Sequence, residues 1–200
     1  MTDIFSQPFM NNTDQLPRRG NRFSRAVANF LLRLFGWQVK GALPNLPKMI
    51  IIGAPHTSNW DFPLAMAFIF YLGVRFNWMA KKEFFVAPFS HLWRWLGGVP
   101  VDRKAGSGVV EQTVEAIRQR SQIVLAIAPE GTRSKVTRWR TGFYHIAHQA
   151  NIPIVPVLAD YGRKTLTITD PFIPTGDVEA DLPLLQARYQ NITGKNRDQF

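Results

Sequence analysis

The chain has 200 residues, 46% of them hydrophobic, which is enough for one globular domain with a sizeable core. The absence of cysteine excludes a disulfide scaffold, a thiol nucleophile and thiolate metal ligands. The 24 basic residues outnumber the 14 acidic ones, and the resulting charge of +10 attracts polyanions, either nucleic acid or an anionic membrane surface. No apolar run reaches the roughly 18 residues of a spanning helix, so we expect a soluble or peripheral protein.

The N-terminal part of the chain divides into two segments of different character. Residues 1–17 are polar, contain two prolines and predict a flexible leader. Residues 18–40 predict a basic amphipathic helix that ends at Gly36, because arginines flank apolar residues at helical spacing. These apolar residues are Phe23, Val27, Phe30, Leu31, Leu34 and Phe35. Two interpretations stay open, since the apolar stripe can pack on the domain or lie in a membrane interface.

The rest of the chain, residues 41–200, alternates predicted strands with predicted helices. We expect strands at 49–52, 74–80, 123–128, 154–158 and 165–169, and helices at 63–72, 84–96, 109–120, 143–150 and 181–191. This alternation predicts an α/β domain with a mostly parallel central sheet flanked by helices. We expect Gly53 to end the first of these strands. Pro153 and Pro156 indicate that the strand at 154–158 is irregular or lies at an edge.

A histidine and an aspartate lie close together after the first of these strands. His56 falls in the predicted loop and Asp61 near the start of the next helix. In one unbroken helix, residues five apart would not face each other, so a folded loop is required to bring them together. The aspartate would then fix the tautomer of the imidazole and leave its other nitrogen to take a proton. Alternatively, Asp61 only caps the helix.

Two further segments combine glycine with arginine. Residues 129–133, Pro-Glu-Gly-Thr-Arg, follow a buried strand, and the carboxyl ends of strands are where open α/β sheets bind ligands. Arg133 can pair with a phosphate through two hydrogen bonds, and Thr132 can add a hydroxyl. The second segment, residues 97–103, supplies Arg103 after a glycine break. Its alternative interpretation is an exposed turn with an Asp-Arg pair.

Four segments, taken in order, resemble the four sequence blocks of the glycerolipid acyltransferase family, which includes the 1-acylglycerol-3-phosphate O-acyltransferases. The first block, His-x4-Asp, is matched by His56 and Asp61, and the second by Gly98 to Arg103. The third block, Pro-Glu-Gly-Thr-Arg, is matched without a change by residues 129–133. The fourth, an apolar strand that contains proline, is matched by residues 152–157. One such block is weak evidence, but four in register are specific.

The resemblance implies an O-acyltransferase that moves a fatty acyl group from a thioester donor to a hydroxyl of a lysophospholipid-type acceptor. The donor would be acyl-CoA or acyl carrier protein, with no metal and no further cofactor. His56 would be the general base, oriented by Asp61. The residues that hold the acceptor would be Arg103, Glu130, Gly131, Thr132 and Arg133. The expected location is the cytoplasm, peripheral on the cytoplasmic face of an anionic membrane.

Other functions share some of these sequence features. A catalytically inactive lipid-binding protein of the same fold is the main alternative. A nucleic-acid partner is not expected, because the basic residues are spread along the chain and no nucleic-acid motif is present. A serine hydrolase is disfavoured because neither Ser58 nor Ser134 lies in a Gly-x-Ser-x-Gly elbow. His145 and His148 lie three apart on a predicted helix without a third metal ligand, which favours a packed or solvated pair.

Overall fold

A computed structural model describes residues 14–101, 108–136 and 138–196 of the chain. The strands form one seven-stranded sheet in the order β1-β7-β6-β2-β5-β3-β4. Only β6 and β7 run antiparallel to each other, and every other neighbouring pair is parallel. The predicted α/β architecture with a mostly parallel sheet is therefore confirmed. The strands are β1 Gln38–Lys40, β2 Lys48–Ala54, β3 Phe76–Lys81, β4 Gly98–Val101, β5 Ile123–Ile127, β6 Ile154–Asp160 and β7 Thr165–Ile168.

Helices cover both faces of this sheet. Because side chains alternate along a strand, β2 contributes Ile50 and Ile52 to one core cluster and Met49 and Ile51 to the other. The first cluster is completed by α4, α5 and α6, and the second by α1 and α2. The helices are α1 Arg22–Leu34, α2 Asp61–Leu72, α3 Ser90–Trp95, α4 Val109–Arg118, α5 Gly142–Ala150 and α6 Val178–Ala187.

The N-terminal segments differ in detail from the sequence-based expectation. Most of the predicted leader, residues 1–13, lies outside the described residues, while residues 14–17 contact the domain. There Leu16 is buried, and the Arg75 backbone N–H donates to the Pro17 carbonyl at 2.6 Å. Within residues 18–40 the helix covers only Arg22–Leu34, and the short strand β1 follows. Trp37, between the two, is buried.

The apolar stripe of α1 points away from the core. Ala28 and Leu32 are buried on the side where α1 packs against α2. Phe23, Phe30 and Leu34 recur at helical spacing, and each is at least 63% exposed. Within the described part of the chain, the stripe is therefore not covered by the domain. No helix in the described ranges is long and apolar enough to cross a bilayer.

One expectation about the central strands is wrong, and of the two alternatives given for β6 the edge position is excluded. Gly53 does not end β2, because it pairs in register with Val157 of β6. β6 lies between β7 and β2 rather than at an edge. Pro156 fits there because its carbonyl accepts the Thr169 N–H at 3.0 Å and the ladder with β7 starts one residue later. Its missing N–H falls where the antiparallel pairing is interrupted, between the ladder with β7 and the isolated bridge of Ile154 with Phe172.

Two predicted helices have other bounds. Only Ser90–Trp95 of the aromatic stretch 84–96 forms an α-helix, and a single turn at Lys82–Phe84 precedes it. The last helix starts at Val178 instead of 181, because the Asp177 carboxylate accepts the backbone N–H groups of residues 179 and 180. These shifts leave the sheet order and the layers unchanged.

Candidate active site

Three adjacent parallel strands end at the same edge of the sheet. Ile52 of β2 pairs with Ile127 of β5, and Ala54 of β2 pairs with Leu158 of β6. The loop after β2, the turn after β5 and the residue after β6 therefore come together at one place. This is the edge at which open α/β sheets bind their ligands.

The loop after β2 folds back so that His56 and Asp61 meet. Nδ1 of His56 lies 3.0 Å from Oδ2 of Asp61. The same Oδ2 accepts the backbone N–H groups of Thr57 and Ser58, each at 2.8 Å. Asp61 is the first residue of α2. Its carboxylate therefore binds the backbone of the folded loop and the imidazole at the same time. Since Nδ1 is engaged, Nε2 is the nitrogen left to accept a proton.

The other carboxylate oxygen of Asp61 contacts a tyrosine that the sequence analysis did not single out. The Tyr161 hydroxyl donates to Oδ1 of Asp61 at 2.6 Å. Burial alone would raise the pKa of Asp61, but the hydrogen bonds from His56, Tyr161 and the Ser58 backbone outweigh it and leave the pKa below its usual value. Asp61 is therefore an anion at neutral pH. The signal available in the sequence was the position of Tyr161 three residues after a predicted strand.

The turn after β5 brings a buried carboxylate to the same place. Oε1 of Glu130 accepts the backbone N–H of His56 at 2.9 Å. The residue is only 4% exposed, and Oε2 has no hydrogen-bond partner among the described residues. Burial raises the pKa of Glu130. Within the described part of the chain, this buried oxygen is an acceptor without a donor, next to the histidine.

The remaining predicted residues of this turn are placed by its backbone. Gly131 has a φ of +66°, and a Cβ there would lie 2.6 Å from the Arg140 side chain, so only glycine fits without strain. Thr132 accepts the Ser134 N–H at 3.3 Å, and Arg133 is exposed. Arg103 lies outside the described residues. The structure thus links His56, Asp61 and Glu130 by hydrogen bonds and places residues 131–133 next in the same turn.

The C-terminal segment holds the loop from outside, which no local sequence signal indicated. The Asn196 side-chain amide donates to the Thr57 carbonyl at 2.8 Å, and its backbone N–H donates to the Thr57 hydroxyl at 3.2 Å. Thr57 is only 2% exposed. The loop that carries His56 is therefore fixed by Asp61 on one side and by the C-terminal segment on the other.

His145 and His148, the two histidines of α5, lie in different surroundings. The His148 ring stacks on Tyr144, and the Tyr144 hydroxyl donates to Asp181 at 2.7 Å. His145 is exposed on the same helix. Among the described residues, no group of three or more histidine or acidic side chains is arranged to hold a metal ion.

The fold is shared with a solved structure. The chain is similar to the crystal structure of the 1-acyl-sn-glycerophosphate (LPA) acyltransferase PlsC from Thermotoga maritima, with a TM-score of 0.60 and 22% identity. The match covers 84% of this chain and 75% of that one. At this identity the likeness concerns the fold alone.

Several curated proteins are similar in sequence, and all three named here are 1-acyl-sn-glycerol-3-phosphate acyltransferases. The protein of Cocos nucifera is 32% identical over an alignment of 149 residues, and the match covers 70% of this chain and 47% of that protein. The one from Escherichia coli is 30% identical over 148 residues, and the match covers 69% and 57%. The one from Limnanthes douglasii is 27% identical over 155 residues, and the match covers 70% and 52%. The chain spans about half the length of these relatives.

A family model gives the assignment. The model described as Acyltransferase matches residues 38–160, which is more than half of the chain. The matched range includes the His56–Asp61 loop, the turn at 129–133 and all of β6. The chain therefore belongs to the Acyltransferase family.

Proposed function

We propose that this chain transfers a fatty acyl group from a thioester donor to a hydroxyl of a lysophospholipid. The observation that carries the proposal is the His56 Nδ1–Asp61 Oδ2 contact of 3.0 Å beside the buried carboxylate of Glu130. The similar proteins named above are acyltransferases of 1-acyl-sn-glycerol-3-phosphate, so that lysolipid is the first acceptor to test. The donor is acyl-CoA or acyl carrier protein.

The proposed reaction is a direct transfer. Nε2 of His56 takes the proton of the acceptor hydroxyl, and the oxygen attacks the thioester carbonyl carbon. The C–S bond then breaks, and the thiolate leaves with the proton that the imidazolium returns. Asp61 stabilises the imidazolium in between. The products are the acylated lipid and the free thiol, and neither a resident metal nor a further cofactor takes part.

Glycerol and phosphate of the acceptor have separate partners in this proposal. Oε2 of Glu130 accepts a hydrogen bond from the acceptor, since it has no donor among the described residues. Arg133 is exposed in the same turn and suits a phosphate, with Thr132 and the Gly131 backbone beside it. Arg103 is proposed for the same phosphate from its sequence block alone.

Acyl transfer in vitro tests this function. Purified protein is incubated with radiolabelled palmitoyl-CoA or palmitoyl carrier protein and a panel of lysophospholipids, with 1-acyl-sn-glycerol-3-phosphate first. We expect labelled diacyl lipid, with free thiol released in equal amount. Binding to lipid vesicles without product from any donor or acceptor would instead support the inactive lipid-binding protein.

A membrane surface is proposed as the place of reaction, on the cytoplasmic face where acyl thioesters are available. The exposed stripe of α1, in which Phe23, Phe30 and Leu34 are the most exposed side chains, suits the headgroup boundary of a bilayer. The formal charge of +10 favours anionic lipid. Before the helix, the Arg19 guanidinium lies 4.3 Å from the centre of the Trp95 ring, which is itself 62% exposed. Aromatic and basic groups thus continue from α1 to α3.

Replacing the three stripe residues tests this surface. Burying a large apolar side chain contributes about 1.5–3 kcal/mol, so Phe23→Ser/Phe30→Ser/Leu34→Ser should weaken binding to phosphatidylglycerol vesicles at least about tenfold. The matched control is Ile173→Ser/Leu184→Ser, which removes exposed apolar side chains elsewhere and should bind like the wild type. Cosedimentation measures binding, and circular dichroism checks the fold. Equal binding of the triple variant and the wild type would refute the proposed surface.

A further inference from the structure

The Asp61 carboxylate is held by different donors on its two oxygens. Oδ2 receives the imidazole and two backbone N–H groups, whereas the Tyr161 hydroxyl is the one donor to Oδ1 among the described residues. The O–H···O distance of 2.6 Å is that of a charge-assisted hydrogen bond. Without the hydroxyl, Oδ1 would lose this donor, and the carboxylate could turn about its terminal bond.

Tyr161 is itself fixed from three sides. Its ring meets the Trp37 indole edge to face, with the ring centres 4.9 Å apart and the planes at 89°. Its backbone N–H donates to the Thr193 carbonyl at 2.8 Å, and the Lys195 ammonium lies 5.9 Å from the ring centre. The hydroxyl therefore has one well-defined direction, toward Asp61.

We propose that Tyr161 is a positioning residue that keeps the Asp61 carboxylate turned toward Nδ1 of His56. The inference rests on the proposed function, because it concerns the same pair of residues. Tyr161 acts through Asp61 and has no assigned contact with either substrate. It lies at the end of β6, beyond the range that the sequence blocks single out.

The charged groups around Asp61 and Tyr161 favour a Tyr161 hydroxyl that stays protonated. Burial and the neighbouring Asp61 anion raise the pKa of Tyr161, so it remains a donor across the working range of the enzyme. The titratable and charged groups that face Asp61 are His56 from its own loop, Glu130 from the turn after β5 and Tyr161 after β6. Lys195 of the C-terminal segment lies over the phenol ring.

Tyr161→Phe removes the hydroxyl and keeps the ring against Trp37. We expect kcat to fall about tenfold, the effect of losing one hydrogen bond to a charged group, with both KM values within about twofold of the wild type. The pKa of the Asp61 carboxyl, followed by carbon NMR, should rise because Tyr161 lowers it in the wild type. The matched control is Tyr71→Phe, the same change at a half-buried position on α2, which should alter neither quantity.

Introducing Tyr161→Phe into the Asp61→Asn variant distinguishes a positioning role of Tyr161 from a general structural effect. If Tyr161 acts through Asp61, Tyr161→Phe changes kcat less than about twofold once the carboxylate is gone. A tenfold loss in that background, or an unchanged kcat and an unchanged Asp61 pKa in the single variant, overturns the inference. The proposed function fails separately, when His56→Ala retains wild-type activity or the wild type transfers no acyl group. The Asp61 titration still decides the Tyr161 contact in that case.

Discussion

His56→Ala is expected to lower kcat for acyl transfer by at least about a hundredfold, because the acceptor hydroxyl then loses the imidazole that takes its proton. The KM values should change little, since the imidazole acts on the proton rather than on the bulk of either substrate. Asp61 keeps hydrogen bonds from the Thr57 and Ser58 backbones and from Tyr161, so the variant leaves no unpaired carboxylate. The measurement is initial rate against acceptor concentration with the radiolabelled donor.

The matched control is His145→Ala, the same change at an exposed position of α5. It should retain wild-type kcat and the wild-type melting temperature. The His56 side chain is itself 33% exposed, so its removal should also leave the fold intact. If His56→Ala kept more than about a tenth of the wild-type rate, a general base worth a hundredfold would be excluded and the proposed mechanism would be wrong.

The sequence predicts the position of the candidate site because it depends on local signals. Buried strands, glycine turns and the proline in the first turn of α2 place His56 and Asp61 on one loop and Glu130 on another. The parallel arrangement of β2 and β5 then follows from the alternation of strands and helices, and it brings both loops to one edge of the sheet. The catalytic and binding roles of these residues remain predictions.

The contacts that complete the site are tertiary, and no periodicity encodes them. Tyr161 reaches Asp61 across 100 positions of the chain, and Asn196 reaches Thr57 across 139. Pro156 misleads for a related reason, since the cost of a proline in a strand depends on which neighbour its nitrogen faces. That neighbour is known only once β7 is placed beside β6.

The sequence alone likewise does not predict that the apolar stripe of α1 is exposed. An amphipathic pattern predicts that one face is apolar, but not what covers that face. In the structure, the short side chain of Ala28 and that of Leu32 lie buried against the domain, and the large side chains of Phe23 and Phe30 lie outside. Of the two interpretations that the sequence leaves open, the exposure of these large apolar side chains favours the membrane interface, which is why a lipid surface is the proposed partner.

Glu130→Gln is expected to lower kcat/KM for the lysolipid acceptor by about a hundredfold, the upper effect of one hydrogen bond to a charged group. The amide can keep an oxygen on the His56 backbone N–H, as Oε1 does now. It then presents N–H where Oε2 stands, and this group cannot accept a hydrogen bond from the acceptor. The KM for the acyl donor should stay unchanged. Glu115→Gln, an exposed change on α4, is the matched control and should have wild-type kinetics.

The stability of the same variant should depend on pH differently from that of the wild type, which separates the role of Glu130 in binding from its effect on the fold. Burial raises the pKa of Glu130, so the folded protein holds this proton more tightly than the unfolded chain, whose carboxyl has the ordinary value of 4.5. The stability that the protonated group provides is therefore present at low pH and is lost as pH rises from about that value through the folded pKa. Glu130→Gln removes this loss, so its free energy of unfolding relative to the wild type should increase with pH over that window. Urea unfolding across the window measures it, and a difference independent of pH would contradict a buried, ionising Glu130. A more stable protein that no longer uses the acceptor would mean that the unpartnered Oε2 is retained for binding at the expense of the fold.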